Sequence, residues 1–306
     1  MNNLEQSLFE KLTDLHKIPS GAFNLRRNGQ SESRNSTEEI EIRPKKDKKG
    51  IDVFVKPNVK GKSVHIPVII TVGGLEDLVY NDFYIGENAD VLIVAGCGIH
   101  NKTCKTSLHN GIHSFHLEKN SKIEYIERHI GDGNGEGGKI LNPVTKIHLK
   151  EGSQMIMEST QLGGVTSSIR KTFAKIEDGA ILNIKENILT TNSQVAKTQF
   201  KVDLVGKNSR VEVVSHSVAR DNSIQEFKSN IVGLNECFGH VECDGMLLDN
   251  AQISSLPIVT AKDNRASLVH EAAIGKIANE SLIKLMTLGL SEKEAEDIII
   301  EGFLLG

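Results

Sequence analysis

The sequence predicts a stacked β-solenoid with a short helical segment at each end, and three observations carry that prediction. One is a repeated unit: a small turn residue, usually after a charged one, then a short strand-like run. It occurs as Glu87-Asn88-Ala89 before Val91 and Ile93, Lys119-Asn120-Ser121 before Ile123 and Tyr125, and Glu151-Gly152-Ser153 before Met155 and Met157. It returns as Asp178-Gly179-Ala180 before Leu182 and Ile184, Lys207-Asn208-Ser209 before Val211 and Val213, and Asp249-Asn250-Ala251 before Ile253. Asn and Gly tolerate the left-handed backbone of a tight turn, and period-2 alternation marks a strand with one buried face. The second observation is the spacing, mostly about thirty residues from one turn to the next, which is the period of a stacked repeat. The third is that helical periodicity is confined to the two ends of the chain. One such unit cannot bury its apolar face alone, so the coils above and below must complete the core.

Taken in order, residues 1–18 place Leu4, Leu8, Leu12 and Leu15 at helical spacing, and Pro19-Ser20-Gly21 is expected to end that helix. From Ala22 to Glu39 the chain is polar and rich in Ser, Asn and Arg, which reads as a loop or an adaptable segment. Strand character begins at Glu39-Ile40-Glu41-Ile42, is interrupted at Pro44, and resumes at Ile51-Asp52-Val53-Phe54-Val55. The intervening Lys45, Lys46, Lys48 and Lys49, followed by Gly50, read as a solvated turn rather than a polyanion site. Val64 to Ile70 is a near-continuous apolar run, the pattern of a strand buried on both faces. The glycine-rich stretch Gly131 to Gly138 lacks what a phosphate-binding loop needs: a helix start after it and a Lys-Ser/Thr pair. It reads as a flexible surface excursion from one coil.

The chain ends in a helical hairpin. Ala278, Leu282, Ile283, Leu285 and Met286 recur at helical spacing, with Gly289 where a C-terminal cap belongs. Ser291-Glu292-Lys293-Glu294 forms a capping box, and Ala295, Ile298, Ile299, Phe303 and Leu304 supply a second apolar face. Two roles stay open: capping the solenoid, or docking a partner through Leu282, Leu285, Met286, Ile298 and Phe303. The domain reading is a helical segment over 1–24, a β-solenoid core over 25–265 and a helical segment over 266–306.

Composition narrows the function classes. Among 306 residues, 36 Lys and Arg balance 40 Asp and Glu for a net charge of −4, which gives no electrostatic case for nucleic acid. There is no Trp for base stacking. No apolar stretch approaches the roughly 20 residues of a membrane span. The first residues lack the features of a signal peptide, so a cytoplasmic protein is expected. The four cysteines, Cys97, Cys104, Cys237 and Cys243, then read as thiols or metal ligands rather than a disulfide framework.

Three stretches hold residues capable of ligand chemistry. In the first, Gly96-Cys97-Gly98-Ile99-His100 is followed by Cys104, His109, His113 and His116. Thiolate and imidazole together suit zinc, copper or iron–sulfur. Alternation, however, sends His113 and His116 to opposite faces of a regular strand. The second, Cys237-Phe238-Gly239-His240-Val241-Glu242-Cys243-Asp244-Gly245, is the densest. Its two thiols share a face, with His240 opposite unless Gly239 bends the strand. The third is His270-Glu271 in Leu268 to Ile277; a zinc-protease helix would need a second His at position 274, which is Ile.

These residues also carry a family resemblance. Val269-His270-Glu271-Ala272 through Ile277, Leu288-Gly289-Leu290-Ser291 with Glu294-Ala295, and Ile300-Glu301-Gly302-Phe303 resemble the C-terminal signature of the SufB/SufD family. Glu242-Cys243-Asp244-Gly245-Met246-Leu247-Leu248 looks like that family's Cys-Asp-Ser-Leu-Leu segment, and Leu256-Pro257-Ile258 like the Pro segment after it. Tyr80 to Gly86 and Ala95 to Asn101 are similar to the short, SufB-like branch.

The resemblance implies a right-handed parallel β-helix with helical ends. It implies a cytoplasmic, non-enzymatic scaffold on which iron–sulfur clusters are transiently assembled. A SufC-type ABC ATPase would bind at the C-terminal helices. It assigns cluster ligation to Cys243, His270 and Glu271, near a subunit interface, and a homodimer is the expected assembly. The family's second Cys before the Pro segment has no counterpart, since Ala251 and Gln252 stand there. Cys97, His100, Cys237 and His240 are therefore candidate replacements. Two other readings compete. A SufD-like structural partner would carry no cluster itself. A carbohydrate-active β-helix enzyme is disfavoured by the absence of Trp and the presence of only three Tyr.

Overall fold

The computed structural model describes residues 1–305 and shows a parallel β-solenoid of about 8 turns, with one helix at the N-terminal end and two at the C-terminal end. Each full turn contributes one strand to each of two ten-strand sheets. The first sheet runs from the hairpin Ala22–Arg27/Gln30–Asn35 to Ser267–Lys276, and the second from Ile40–Pro44 to Gln252–Ala261. No helix among the described residues is long and apolar enough to cross a membrane.

Five of the six predicted turns form one corner of the solenoid. Asn88, Asn120, Gly152, Gly179 and Asn208 all have positive φ, and the backbone N–H of each donates to a carbonyl of the next coil at 2.7–3.1 Å. Each opens a strand of the first sheet. The sixth turn belongs to the opposite corner. Its left-handed residue is Asp249 rather than Asn250; it stacks with Asp221 and Asn192 and opens Gln252–Ala261 in the second sheet. Local turn chemistry is the same at both corners, which is why the sequence pattern merged them.

Register is unshifted along the C-terminal half of the first sheet, so inward side chains stack in columns such as Met157–Ile184–Val213–Val241. In the second sheet Phe83 and Phe115 stack face to face with centroids 4.6 Å apart. Stacking like on like fills the lumen with apolar side chains, in keeping with a close-packed interior.

Helix α1 (Asn3–Thr13) is closed by a capping box between Asn2 and Glu5 and stops at Asp14, which adopts the left-handed conformation. It therefore ends before Pro19. Its Leu8, Phe9 and Leu12 lie over Leu25 and Ile69, which explains the continuous apolar run in Lys60–Ile70. A Cβ on Gly96 would come within 3.0 Å of Leu12, so glycine there lets the helix approach the sheet. The stretch read as a loop is the antiparallel hairpin Ala22–Arg27/Gln30–Asn35, turned at Asn28-Gly29 with φ of 47° and 80°. Asn-Gly is a strong hairpin signal, and polar composition masked it.

Two other surface readings also change. The Lys45 ammonium is buried between Asp52 and Asp82, 2.7 Å from the latter, so the basic run is not wholly solvated. The glycines of 131–138 pack on neighbouring backbone rather than extending freely. A Cβ on Gly133, Gly135 or Gly137 would come within 2.2–2.5 Å of the backbone of Asn101 to Lys105.

The β-ladder continues through Lys276, and helices α2 (Asn279–Thr287) and α3 (Glu292–Leu305) follow. The predicted box closes α3. The Glu294 N–H donates to Ser291 Oγ at 3.3 Å, and the Ser291 N–H donates to Glu294 Oε2 at 2.8 Å. Ile300 and Leu304 pack on Val218 and Leu248, placing α3 along the flank of the solenoid. The final coil is left largely uncovered, with Leu256, Val259, Val269 and Ile274 exposed.

Candidate functional site

An inward column of the first sheet runs Glu127–Ser159–Glu186–Ser215–Cys243–Ala272, one residue per coil in direct register. The first five are buried, and the last of them is the Cys243 thiol, beneath Ala272 of the final, uncovered coil. Burial pushes Cys243 up to about 11, with the Ser255 hydroxyl beside it as a smaller opposing influence. Cys243 is thus a protonated thiol at neutral pH, and a metal would have to displace its proton.

His270 is the neighbour that matters. It pairs in register with Val241, so it points into the lumen, two residues off register from Cys243. One strand spacing and two residues along the strand put their backbones about 8 Å apart. Both ring nitrogens of His270 are buried and without a hydrogen-bond partner. Burial, aided by nearby His240, lowers its pKa, which leaves a neutral imidazole with a free lone pair. A neutral imidazole and a thiol on one face fit the donor set of a soft-metal or iron–sulfur site.

Glu271 does not join them. Consecutive strand residues face opposite ways, and Glu271 lies on the outer face with its side chain 66% exposed, 3.9 Å from His240. The expected His–carboxylate pair is therefore split across the sheet. His240 is also outside, between Glu212 and Glu271 at 3.8 and 3.9 Å, so Gly239 does not bend it inward. Cys237 shares the inner face with Cys243, but six residues of strand separate them by about 20 Å, beyond a common ion. Cys97 is buried five strands away from Cys237–Leu247, about 24 Å along the axis, and burial pushes its thiol well up. His100 is tied to Asp132 at 2.8 Å. None of these four replaces a ligand beside Cys243.

Sequence reasoning missed a buried charge network in the same lumen. The Arg170 guanidinium pairs with Glu127, donates to His129 Nδ1 at 2.9 Å and lies 3.2 Å from Glu186. Tyr125 donates to Glu127 at 2.9 Å, and its hydroxyl lies 2.7 Å from His113 Nδ1. The signal was present: Glu186 falls in the inward phase of Leu182, Ile184 and Ile188, where only apolar residues are expected.

Each member's charge state follows from its surroundings. Burial lowers His113 to about 4 and His129 to about 3. Burial opposes ionisation of Glu127, but Arg170 and the histidines bring it down to about 2. Burial outweighs Arg170 at Glu186 and raises it. Between about pH 4 and 6.5 the unfolded chain binds protons that the buried histidines refuse, so stability falls as pH drops through that window. Below the ordinary carboxylate range the contribution of Glu127 is lost too, while raised Glu186 acts in the opposite sense. The urea midpoint should therefore decrease from about pH 7 to about pH 5. A constant midpoint would contradict the neutral-histidine assignment.

At the C-terminal end, α2 buries none of its residues. Leu282 and Leu285 are half-buried, while Met286 and Ile298 are exposed. Phe303 instead packs on the His216 ring at 5.1 Å, so it serves the chain's own packing.

The SufBD core domain of SUF-system FeS cluster assembly matches residues 81–303. The chain is 30% identical over 258 residues to an iron–sulfur cluster assembly SufBD family protein of Methanocaldococcus jannaschii, covering 82% of this chain and 79% of that one. It is 30% identical over 263 residues to such a protein of Archaeoglobus fulgidus, covering 84% of this chain and 69% of the other. A third, from Pyrococcus horikoshii, is 26% identical over 285 residues, with 88% and 82% covered. The family match spans the Cys243–His270 end and most of the solenoid, and the chain belongs to the SufBD family of iron–sulfur cluster assembly proteins.

Proposed function

We propose that this protein is a non-enzymatic scaffold on which iron–sulfur clusters are assembled at the uncovered end of the solenoid. The observation that carries the reading is the placement of Cys243 beside a partner-free His270 under the last coil. Clusters of this kind take four protein ligands, and one chain supplies two here. A second copy meeting the first end to end would supply the others, and the exposed apolar residues of the final coil support a homodimer through that end. The chain carries no Walker motif, so ATP hydrolysis would come from a SufC-type ABC ATPase docked on α2 and α3. Exposed Ile283, Met286, Leu288 and Ile298 offer the apolar surface such docking needs. Four free cysteines, three of them buried, are in keeping with a reducing, cytoplasmic setting.

Docking is tested by removing residues 279–306. The truncated protein should keep its β circular dichroism, because coils contact mainly their neighbours, and should fail to capture the ATPase. Some aggregation is expected from the uncovered Val218 and Leu248. Capture that persists would place docking elsewhere.

The ligand assignment is tested on the two faces of one strand. His270→Ala should lose most of the iron retained after anaerobic reconstitution, whereas Glu271→Gln, on the outer face, should retain it. Both should melt within a few degrees of the parent, a change of about 1 kcal/mol or less. Equal iron in the two variants would remove His270 from the ligand set.

A further inference from the structure

A second cluster of donors lies on the opposite side of the sheet from Cys243. We propose that His216, Glu242 and Asp244 form a binding site for a divalent first-row transition ion, held between the outer face of the first sheet and helix α3. One ligand atom from each residue lies within 4.8 Å of the others, and all three side chains are half-buried. The fold supplies this convergence. His216 and Asp244 are in register on adjacent strands, Ser209–Ala219 and Cys237–Leu247, and Glu242 precedes Asp244 by two residues on the same face.

Two further observations point to a ligand. His216 Nδ1 is buried and has no hydrogen-bond partner, while the ring is held against Phe303 of α3 at 5.1 Å. Glu242 also stands in register with Glu271 of the next strand. Like charges directly opposite one another destabilise a sheet, and a cation beside Glu242 relieves that repulsion. Burial, with Lys185 nearby, lowers the His216 pKa, so the imidazole is neutral and offers a lone pair rather than a counter-charge.

The chemistry selects the class of ion. One imidazole and two carboxylates suit Mn2+, Fe2+ or Zn2+ better than the all-oxygen shells of Ca2+ or Mg2+, and there is no thiolate to favour Cu+. An ion about 2.1 Å from each donor would draw the ligand atoms to about 3–3.5 Å apart. Rotation of the half-buried side chains can supply that closure. Because His216 packs on Phe303, the bound ion would also fix α3 against the solenoid, at the base of the surface offered to a partner.

The test uses Mn2+, which favours oxygen and nitrogen donors and so avoids the thiols. Bound Mn2+ loses the free-ion sextet in electron paramagnetic resonance, and the full chain should bind one ion per protein. His216→Ala and Asp244→Asn should each weaken binding by about tenfold or more, and His270→Ala, in the lumen, should leave it unchanged. Asp244→Asn keeps size and shape, so it guards against a packing defect caused by losing the His216–Phe303 contact. A full-intensity sextet with wild-type protein at millimolar Mn2+ would overturn the proposal. So would wild-type affinity in both site variants, or loss of binding in His270→Ala.

Discussion

Cys243→Ser is expected to lose most of the iron and sulfide held after anaerobic reconstitution, while Cys104→Ser keeps the wild-type amount. Both substitutions exchange sulfur for oxygen, so their difference isolates position. Cys104 is exposed on a loop, whereas Cys243 is the last buried member of the inward column, near His270. Serine fits the Cys243 site sterically, since Ser215 occupies the same column one coil below. The loss should therefore be chemical, because a serine hydroxyl is a poor substitute for thiolate toward iron–sulfur. Unchanged circular dichroism with lost iron is the expected pair of results. Equal iron in the two variants would refute the assignment.

Arg170→Ala should cause the largest loss of stability of any single substitution considered. It removes the cation shared by Glu127, His129 and Glu186, all buried, and leaves carboxylates in the lumen without compensation. Breaking a buried pair from one side costs about 3–5 kcal/mol, which a urea titration would show as a large drop in midpoint. A chain that also carries Glu127→Gln and Glu186→Gln should recover part of that loss, because the stranded charges are gone. A loss below about 1 kcal/mol for Arg170→Ala would mean that the network contributes little.

The architecture was legible because a solenoid is specified locally: each left-handed turn residue and each alternating strand states its own role. What was not legible was phase around the coil. Asp249 and Asn208 head similar-looking turns yet belong to opposite corners, and only stacking against neighbouring coils distinguishes them. The Asn28-Gly29 hairpin was written in the sequence but outweighed by polar composition.

Within the site, parity correctly placed Cys237 and Cys243 on one face and His240 on the other. The same rule separates His270 from Glu271 once they lie on the strand Ser267–Lys276, whereas assigning residues 266–306 to the C-terminal helical segment left the pair together. The partner-free state of His270 depends on what the last coil lacks around it, and no pattern of residue types reveals that. Arg170 was hidden for a related reason. Its partners Glu127 and Glu186 lie on other coils, one well before it in sequence and one well after. They are joined to it only by coil stacking and the approach of the two sheets.

The most direct measurement is the absorption spectrum and iron content of the wild-type protein after anaerobic reconstitution with ferrous iron and sulfide, followed by sizing of the product. A cluster scaffold built on Cys243 and His270 predicts charge-transfer absorption above about 320 nm, of the kind thiolate-bound iron–sulfur centres give, with the iron eluting in a dimer. A featureless spectrum in that region, with protein free of iron and sulfide, would contradict it.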